Sequence, residues 1–524
     1  MRTETLVLTN GKIWTGHSFA HSITIRWGRI VSLDDATPND ARVIDLRGRL
    51  AVPGFIDNHL HFVTGSLQLE RVQLRDARSL DLFVERIAER ASHMSAGSWI
   101  TGGGWDEQSW SPAVPPARQH IDALTPGHPV FVTRLDLHMG LANSVALRLA
   151  GITRETPDPP GGTIVRDGRG EPTGILKDTA MRLVTSIIPV PSVEERVAVM
   201  RRGLHEAARR GITSFCDMGI TAEAFDDFRA YQRLDREGAL TARVWMYLPI
   251  DSWERLADIG VEKGFGSEQL RLAGLKAFAD GSLGSSTAAF REPYEGEPHD
   301  CGLLMQPMQD GSMARAIAGA DAHELQLAIH AIGDRANAEV LSLFESHAGH
   351  DTRRFRIEHA QHLDPALVER FAKGRIIASM QPYHAIDDGR WAITKIGAHR
   401  IGSSFPFRSL LDAGAHVTFG SDWPVAPLDP MLGIHAAVTR QTVDGRNPDG
   451  WIPEQKISVA EALRAYTANN AFAVFAEREI GTLAPGLRAD LAILSDDLFT
   501  VSPGEIERVR VEMTISGGRV IYEE

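Results

Sequence analysis

The stretch AVPGFIDNHLHF, residues 51–62, joins an apolar run to a pair of histidines, His59 and His61. A short, nearly continuous apolar run is typical of a strand that is buried on both faces in a parallel sheet. Residues two apart on a strand point to the same side, so both imidazoles can reach one metal ion. An isolated H-x-H motif, however, more often marks two polar residues at the end of a strand. The strands that follow decide between these interpretations.

Seven further apolar runs follow along the chain, and helical patterns such as RANAEVLSLFESHAG fill most of the later gaps. The runs are ITSFCDMG (212–219), RVWMYLPI (243–250), LRLAGLKAFADG (270–281), LQLAIHAIGD (325–334), RFRIEHAQHL (354–363), RIIASMQPYH (375–384) and HVTFGSDWP (416–424). Buried strands that alternate with helices indicate a parallel sheet, and eight such units predict a closed TIM (β/α)8 barrel. We therefore predict an α/β fold with the barrel over residues 55–479.

Two regions depart from this alternation of strands and helices. Residues 1–54 and 480–524 read as short alternating strands divided by turns such as Asn10-Gly11, which predicts one composite β-sandwich built from both ends of the chain. The interval between the first and second apolar runs is far longer than a crossover helix needs. We predict a large insertion over residues 63–205. Loops after barrel strands open onto the catalytic face, so the insertion is expected to form a cap.

Ionisable residues recur near the ends of the later strands. Lys276 lies in GLKAFADG, His330 in LAIHAIGD, His359 in RIEHAQH and Asp422 in TFGSDWP. Barrel enzymes place their catalytic residues at the carboxyl ends of the strands. Core packing explains one such residue, but it explains poorly a set that converges from five strands.

The residue types favour zinc or another divalent metal that accepts imidazole ligands. Four neutral histidines with bridging carboxylate-type ligands can hold two ions, which together activate a water molecule and polarise a carbonyl group. An ammonium group cannot bind a cation. Burial lowers the pKa of a lysine, and the free amine can then add carbon dioxide to give a bridging carbamate, which is the form we predict for Lys276.

The order of H-x-H, Lys, His, His and Asp resembles that of the amidohydrolase superfamily. The sequences of nine stretches resemble those of amidohydrolase family 3. These stretches are PGFIDNHLHF, GGWDEQSW, LDLHMGLANSVAL, LKAFADGSLGSSTAAF, IHAIGDRANAEVL, RIEHAQHL, SMQPYH, GSDWPVAPLDP and GTLAPGLRADLAIL. That branch includes N-substituted formamide deformylases and proteins labelled exoenzyme regulatory proteins. The resemblance spans nearly the whole chain and implies a TIM barrel, a composite β-sandwich and a hydrolytic metal site.

The resemblance also implies a role for each ligand-type residue. His59 and His61 would bind the more buried metal, Lys276 as N6-carboxylysine would bridge, and His330 and His359 would bind the second metal. Asp422 would be a ligand of the first metal and the general base.

Five further residues are candidates for contact with substrate, each beside a structural alternative. Asp280 lies in a Gly/Ser-rich loop, where an aspartate equally caps its own backbone. The family motif around His138 hints at substrate contact, but a histidine at a helix entry is about as frequent. Trp105 either lines the pocket or belongs to the core, which is commoner for tryptophan. His384 and Trp423 follow the seventh and eighth strands and are expected beside the substrate.

The leading hypothesis is a binuclear metal-dependent hydrolase of carbon–nitrogen bonds in non-peptide amides or N-acyl compounds. A metal-bridging hydroxide would attack the carbonyl carbon while Asp422 moves the proton to the leaving nitrogen. A deaminase or cyclic-amide hydrolase on the same fold is one alternative, although mononuclear deaminases do not need a bridging lysine. The other is a catalytically silent regulatory or binding protein, against which the intact ligand set argues.

The composition limits the partners and the cellular location that we expect for the protein. The chain has 524 residues with 55 Lys and Arg against 68 Asp and Glu, a formal net charge of −13, which disfavours nucleic acid and acidic membranes as partners. Two cysteines exclude a disulfide scaffold, and the sequence holds no long apolar span or N-terminal signal pattern. We expect a cytoplasmic protein whose partner is a small-molecule substrate. The sequence leaves open whether the protein is a homodimer.

Overall fold

The computed structural model describes residues 5–107, 110–134, 139–160, 162–220, 223–347 and 350–524. The chain divides into two compact units. The first, which we call the barrel unit, comprises Met1–Gly65 and Arg196–Glu524. The second, the inserted unit, comprises Ser66–Glu195 and lies within the insertion predicted over 63–205.

Eight strands of the barrel unit form one sheet in which each strand pairs in parallel with its neighbour along the chain. They are β1 (Phe55–Leu60), β2 (Ile212–Met218), β3 (Arg243–Pro249), β4 (Leu270–Phe278), β5 (Gln326–Ala331), β6 (Arg356–His359), β7 (Ile377–Met380) and β8 (Val417–Phe419). The two end strands also meet, since Asn58 Nδ2 donates to Thr418 Oγ1 at 2.6 Å. The sheet is thus nearly closed and fits a TIM barrel, which confirms the α/β class and the eight strands predicted from the sequence.

The barrel strands are apolar because both of their faces are covered. Every residue of β2 and β5 is buried, and the barrel interior packs Ile56, Trp245 and Ala328 together. The helix Pro365–Gly374, between β6 and β7, shows how the sequence determines where a helix follows a strand. It begins at Pro365, the Asp364 side chain accepts from Leu367 N, and the helix then buries Leu367 and Phe371.

Helices fill the connections between strands in both units. The α-helices are Phe62–Leu69, Leu80–Ser92, Ser144–Leu149, Arg182–Thr185, Val193–Arg209, Ala224–Arg236, Trp253–Asp258, Gln306–Gln309, Ser312–Ala322, Asp334–Glu345, His350–Arg353, Pro365–Gly374, Pro382–Asp388, Ala392–Ile396, Phe407–Asp412, Pro430–Thr439, Val459–Ala465 and Ala468–Ala473. Among the helices that the structure describes, none has the length and apolar character that a membrane crossing requires.

The two ends of the chain share one sheet of the barrel unit. Its strand order is Arg519–Glu523, Val511–Ser516, Leu491–Leu494, Leu50–Pro53, Lys12–Trp14 and Phe19–Ala20. A second sheet has the order Arg29–Leu33, Ile23–Arg26, Leu6–Thr9 and Arg42–Asp45. Buried aliphatic residues of both sheets, including Leu8, Ile25 and Ile493, pack in one cluster.

The run 51–62 is divided between two sheets, which the sequence pattern did not show. Leu50–Pro53 pairs with the C-terminal strand Leu491–Leu494, whereas β1 enters the barrel after Gly54. A Cβ on Gly54 would lie 2.4 Å from Thr213 Oγ1, so the close approach of the chain to β2 requires glycine.

The inserted unit has a sheet and cores of its own. Its strands are ordered Gly162–Arg166, Pro172–Asp178, Met139–Ala142, Val130–Arg134, Ile100–Trp105 and Val72–Gln73. The helix Leu80–Ser92 buries Phe83 and Ile87 in one cluster, beside Ile100 and Val132 of the sheet.

Candidate metal centre

Three buried side chains from different barrel strands meet at one point. Single ligand atoms of His59, His359 and Asp422 all lie within 4.8 Å of one another. His59 lies in β1, His359 ends β6, and Asp422 follows β8 by three residues. The structure therefore brings together, at the carboxyl ends of the strands, residues that lie far apart in the sequence.

Backbone conformation turns two of these side chains toward the centre. His359 has a φ of 75° and Asp422 a φ of 62°, in the left-handed region that side chains other than glycine rarely adopt. Conformations of this kind cluster at functional sites, where the surrounding structure must compensate for their energy. The unusual backbone at two ligand-type residues thus favours a functional role for the cluster.

His61 and His330 complete the set of histidines. His61 Nε2 lies 3.3 Å from Asp422 Oδ1, and its Nδ1 meets the carbonyl oxygen of Met218 at 2.9 Å. The ring of His330 lies 4.5 Å from the ring of His359, between centroids, and its Nε2 donates to the carbonyl oxygen of Gly281 at 2.9 Å. Each ring therefore has one nitrogen held by the protein and one left for a ligand.

The other two histidines are held in the same way by side chains. His59 Nδ1 lies 2.5 Å from Glu358 Oε2, and His359 Nδ1 lies 2.7 Å from Gln381 Oε1. An acceptor at one ring nitrogen places the proton there and leaves the other nitrogen as the metal-binding atom. The free atoms are Nε2 of His59, His61 and His359, and Nδ1 of His330.

Burial keeps most of these imidazoles neutral, as metal ligands must be. Burial and the adjacent Lys276 lower the pKa of His59 to about 4 and the pKa of His330 to about 3. Burial also holds the pKa of His359 well below its usual value, with His330 and His59 as further causes. Burial alone would lower the pKa of His61, but the adjacent carboxylates, chiefly Asp422, together raise it above its usual value.

Lys276 is buried beside the cluster. Among the described residues, its Nζ has no hydrogen-bond partner, and it lies 5.0 Å from the centre of the Phe278 ring. Burial lowers the pKa of Lys276 to about 8, although the charges of Glu358 and Asp422 oppose the shift. An unpartnered polar group in a protein interior is energetically unfavourable. The orphaned amine and the inward imidazoles fit a site that gains divalent metal and a modified lysine.

Asp422 supplies the carboxylate of the centre. Its Oδ2 meets His384 Nε2 at 3.1 Å, and its backbone N–H donates to the carbonyl oxygen of His59 at 2.7 Å. Burial alone would raise the pKa of Asp422, but the adjacent imidazoles, chiefly His384 and His61, hold it well below the usual range. The carboxylate is therefore held in its ionised form.

A sequence profile described as the amidohydrolase family matches residues 42–522 of the chain. The chain belongs to the amidohydrolase family. The resemblance noted from the sequence motifs is thereby confirmed.

The chain is also similar to individual proteins over nearly its whole length. The chain is 40% identical, over 99% of its length and 91% of the relative, to Protein LONG AFTER FAR-RED 3 of Arabidopsis thaliana. It is 28% identical, over 99% of its length and 98% of the relative, to the N-substituted formamide deformylase of Arthrobacter pascens. It is also similar to the crystal structure of an uncharacterized metal-dependent hydrolase from Pyrococcus horikoshii OT3, with a TM-score of 0.80 and 29% identity over 96% of this chain and 99% of that one.

Two of the residues predicted to contact substrate lie beside the candidate metal centre of this amidohydrolase. His384 is half-buried at the start of the helix Pro382–Asp388 and hydrogen-bonds Asp422. Trp423 is buried, its carbonyl oxygen accepts from the His61 backbone N–H at 2.8 Å, and its ring packs near Phe62. Contact with substrate stays a prediction for both residues.

The other three substrate candidates of the amidohydrolase have different outcomes. Asp280 is fully buried and accepts from the backbone N–H groups of Ala289, Ile332 and Gly333 at 2.8 to 3.0 Å, which favours the backbone-capping alternative. Trp105 packs in the core of the inserted unit and donates to Glu107, which favours the core alternative. His138 lies outside the described residues.

Two residues that hold histidines of this amidohydrolase, and a third that holds one of those two, were not predicted from the sequence. Glu358 and Arg356 are fully buried in β6, and Gln381 follows β7. The signal was present in RIEH, because two charged side chains two residues apart in a buried strand must share the barrel interior. The contact of Glu358 with His59 depends on which strands face each other, and the pattern of one strand does not show this.

Proposed function

We propose that this amidohydrolase is a binuclear metal-dependent hydrolase of carbon–nitrogen bonds in non-peptide amides or N-acyl compounds. The observation that carries the proposal is the orphaned Lys276 amine among inward-facing imidazoles and one ionised carboxylate. Zinc suits this donor set. The proposed domain organisation is a TIM barrel with a composite β-sandwich, which the cluster shared by the two terminal sheets supports.

The residues divide into two groups around the centre. His59, His61 and Asp422 would hold the first ion, His330 and His359 the second, with carboxylated Lys276 between them. When bound, two divalent ions at such a site activate a water molecule for attack and polarise the substrate carbonyl group.

The protein's own part of the chemistry falls to Asp422. Its ionised carboxylate accepts a proton from the attacking water and returns that proton to the leaving nitrogen as the C–N bond breaks. His384 donates to Oδ2 and so fixes the orientation of the carboxylate. The reaction consumes one water and gives a carboxylic acid and an amine.

The substrate we propose is a small amide, with N-formyl compounds first. The full-length similarity to an N-substituted formamide deformylase supports that choice. We also propose a cytoplasmic protein without nucleic-acid or membrane partners, and size-exclusion chromatography with light scattering tests whether it is a homodimer.

A substrate screen tests the proposed function. Protein loaded with zinc is assayed on N-formyl, N-acyl, lactam and ester compounds, with the His59→Ala, His359→Ala double variant as control. We expect turnover of an N-formyl or N-acyl compound that the control lacks. Preference for a lactam would favour the cyclic-amide hydrolase, and ammonia release from an aminated ring would favour the deaminase. Metal uptake without turnover of any class would favour the silent binding protein.

A further inference from the structure

A buried ion pair lies directly behind His59. Glu358 Oε1 accepts from Arg356 Nε at 2.6 Å, and Oε2 accepts from Arg356 Nη2 at 3.0 Å and from Ser379 Oγ at 2.7 Å. The same Oε2 meets His59 Nδ1 at 2.5 Å. Arg356 and Glu358 are both fully buried. The pair therefore presents a carboxylate to the back of one candidate metal ligand.

Arg356 is held as firmly as its partner. Its Nη1 donates to Asn58 Oδ1 at 3.0 Å, and its Nη2 donates to the carbonyl oxygen of Asn58 at 2.7 Å and to Ser379 Oγ at 3.0 Å. Asn58 is the residue immediately before His59, so the guanidinium also fixes the backbone of that ligand. One network thus controls both the backbone position and the ring orientation of His59.

Stability alone is a weak explanation for this pair. Burying two charges removes their hydration, and well-packed apolar residues of similar size are often as stabilising. The barrel interior already packs apolar side chains such as Ile56 and Ala328. An ion pair placed against a ligand has a functional explanation, because such partners orient the ring and increase its basicity.

The four histidines differ in the hydrogen-bond partner of the ring nitrogen that points away from the centre. His61 and His330 meet backbone carbonyl oxygens, and His359 meets the neutral amide oxygen of Gln381. Asp280 Oδ1 lies 3.5 Å from His330 Nε2, beyond the Gly281 carbonyl oxygen that accepts from that atom at 2.9 Å. Of these four rings, His59 is the one that hydrogen-bonds a carboxylate through its outward nitrogen. The centre is therefore electrostatically asymmetric.

We propose that Glu358, anchored by Arg356, is a positioning residue that makes the His59 side of the centre the tighter metal site. The inference rests on the proposed function, since it assigns unequal roles to the two ions. The His330 and His359 side has neutral partners and releases its ion first when a chelator is added.

Zinc titration of apoprotein against a chromophoric chelator tests the proposal. In wild type we expect two affinities. Glu358→Gln should weaken the tighter one by about 10- to 100-fold, the usual effect of removing such a partner, and leave the weaker one unchanged. Glu358→Asp keeps the charge that Arg356 needs but is one methylene shorter and cannot reach His59 Nδ1. The Glu358→Asp variant should therefore show the same selective loss of zinc affinity at the tighter site. It provides the test even if Glu358→Gln fails to fold. Cobalt(II) absorption provides a second readout, and only the band of the tighter site should change.

A second buried ion pair supplies the matched control. Arg243 and Asp490 form an ion pair of similar burial between β3 and the terminal sheets, and neither touches a candidate ligand. Asp490→Asn should reduce stability but leave both zinc affinities unchanged. Equal affinity losses in the Asp490 and Glu358 variants, or unchanged affinities in both Glu358 variants, would overturn the positioning role. A wild-type protein that takes up no zinc would instead overturn the proposed function itself.

Discussion

Asp422 differs from the other ligand-type residues because it combines the charge, the position and the freedom that proton transfer needs. Its Oδ2 is oriented by His384, while Oδ1 has no hydrogen-bond partner within the described residues and lies 3.3 Å from His61 Nε2. A side chain that merely capped the turn at Pro424 would direct its oxygens to backbone N–H groups. The observed contacts favour the general-base hypothesis over the capping alternative.

The Asp422→Asn variant separates those two roles. Asparagine keeps the shape and one ligand oxygen but cannot carry the proton, so we expect most of the metal to remain. We expect kcat to fall by about 10²- to 10⁴-fold, the usual effect of losing a general base. Turnover and metal content are measured on the same preparation. Near-normal kcat would contradict the assignment, whatever the metal content.

Lys276 should make assembly of the candidate metal centre depend on pH. With a pKa of about 8, its amine is mostly protonated at pH 6.5 and mostly free at pH 9. Only the free amine adds carbon dioxide. We expect zinc loading of apoprotein at a fixed concentration of dissolved carbon dioxide to be faster at pH 9 than at pH 6.5.

Loading without carbon dioxide is the control for Lys276, and the pH effect should be smaller there. The Lys276→Ala variant should lose activity, and short carboxylic acids should restore part of it. Equal loading rates at both pH values in wild type would argue against carboxylation.

Among the elements, the turn after β8 shows how closely two strand ends must approach. A Cβ on Gly420 would lie 2.5 Å from the backbone nitrogen of His59 and 2.9 Å from Asp57 Oδ1. Real contacts of a Cβ are longer than this, so any side chain here must push β1 and the β8 turn apart. The candidate metal centre depends on that approach, because His59 and Asp422 lie on its two sides.

Gly420→Ala should therefore reduce both stability and metal binding. Overpacking of this kind costs about 1–3 kcal/mol, and the displaced turn should weaken zinc binding as well. Urea unfolding and zinc titration measure the two effects. Gly402→Ala is the matched control, since a Cβ there meets no atom within 4 Å and its φ is ordinary. Similar results for both variants would contradict the argument.

The elements also show how far the sequence could predict the structure. Each of β1 to β8 lies inside an apolar run identified from the sequence, because burial on both faces leaves a local signature. His59, His359 and Asp422 were predicted together because ionisable residues are rare in such runs, and the structure places them together. The role of Asp280 was harder to predict from the sequence, since the three backbone N–H groups that donate to it come from two later segments. The contact between Glu358 and His59 is set by the curvature of the whole barrel and leaves no local signal.

At the scale of the whole molecule, the chain folds as two compact units with separate cores. The length of the interval after the first strand indicated a separate region, but its sheet order did not follow from the pattern. In that region, Gly-rich segments such as ITGGGW form strands, although glycine usually weakens a strand pattern. The proposal that this unit caps the catalytic face stays a prediction, as does the role of His138.

Metal should stabilise the barrel as a whole, because its candidate ligands come from β1, β4, β5, β6 and the turn after β8. An ion bound only by the folded state stabilises it by about 2.7 kcal/mol at a concentration of one hundred times the Kd. The melting temperature rises by about 2–4 °C per kcal/mol for domains of 150–250 residues, and by less for longer chains. We therefore expect zinc to raise the melting temperature of apoprotein by several degrees, as measured by calorimetry.

Two histidine variants show whether that increase comes from the metal centre. His359→Ala removes a candidate ligand and should abolish most of the zinc-dependent increase. His416→Ala removes a partly buried histidine at the start of β8, which donates to the carbonyl oxygen of Asn469 at 2.9 Å and is not in the cluster. It should lower the melting temperature of apoprotein yet keep the full increase with zinc, because the cluster is untouched. An increase that survives in His359→Ala but is lost in His416→Ala would place the metal elsewhere in the fold.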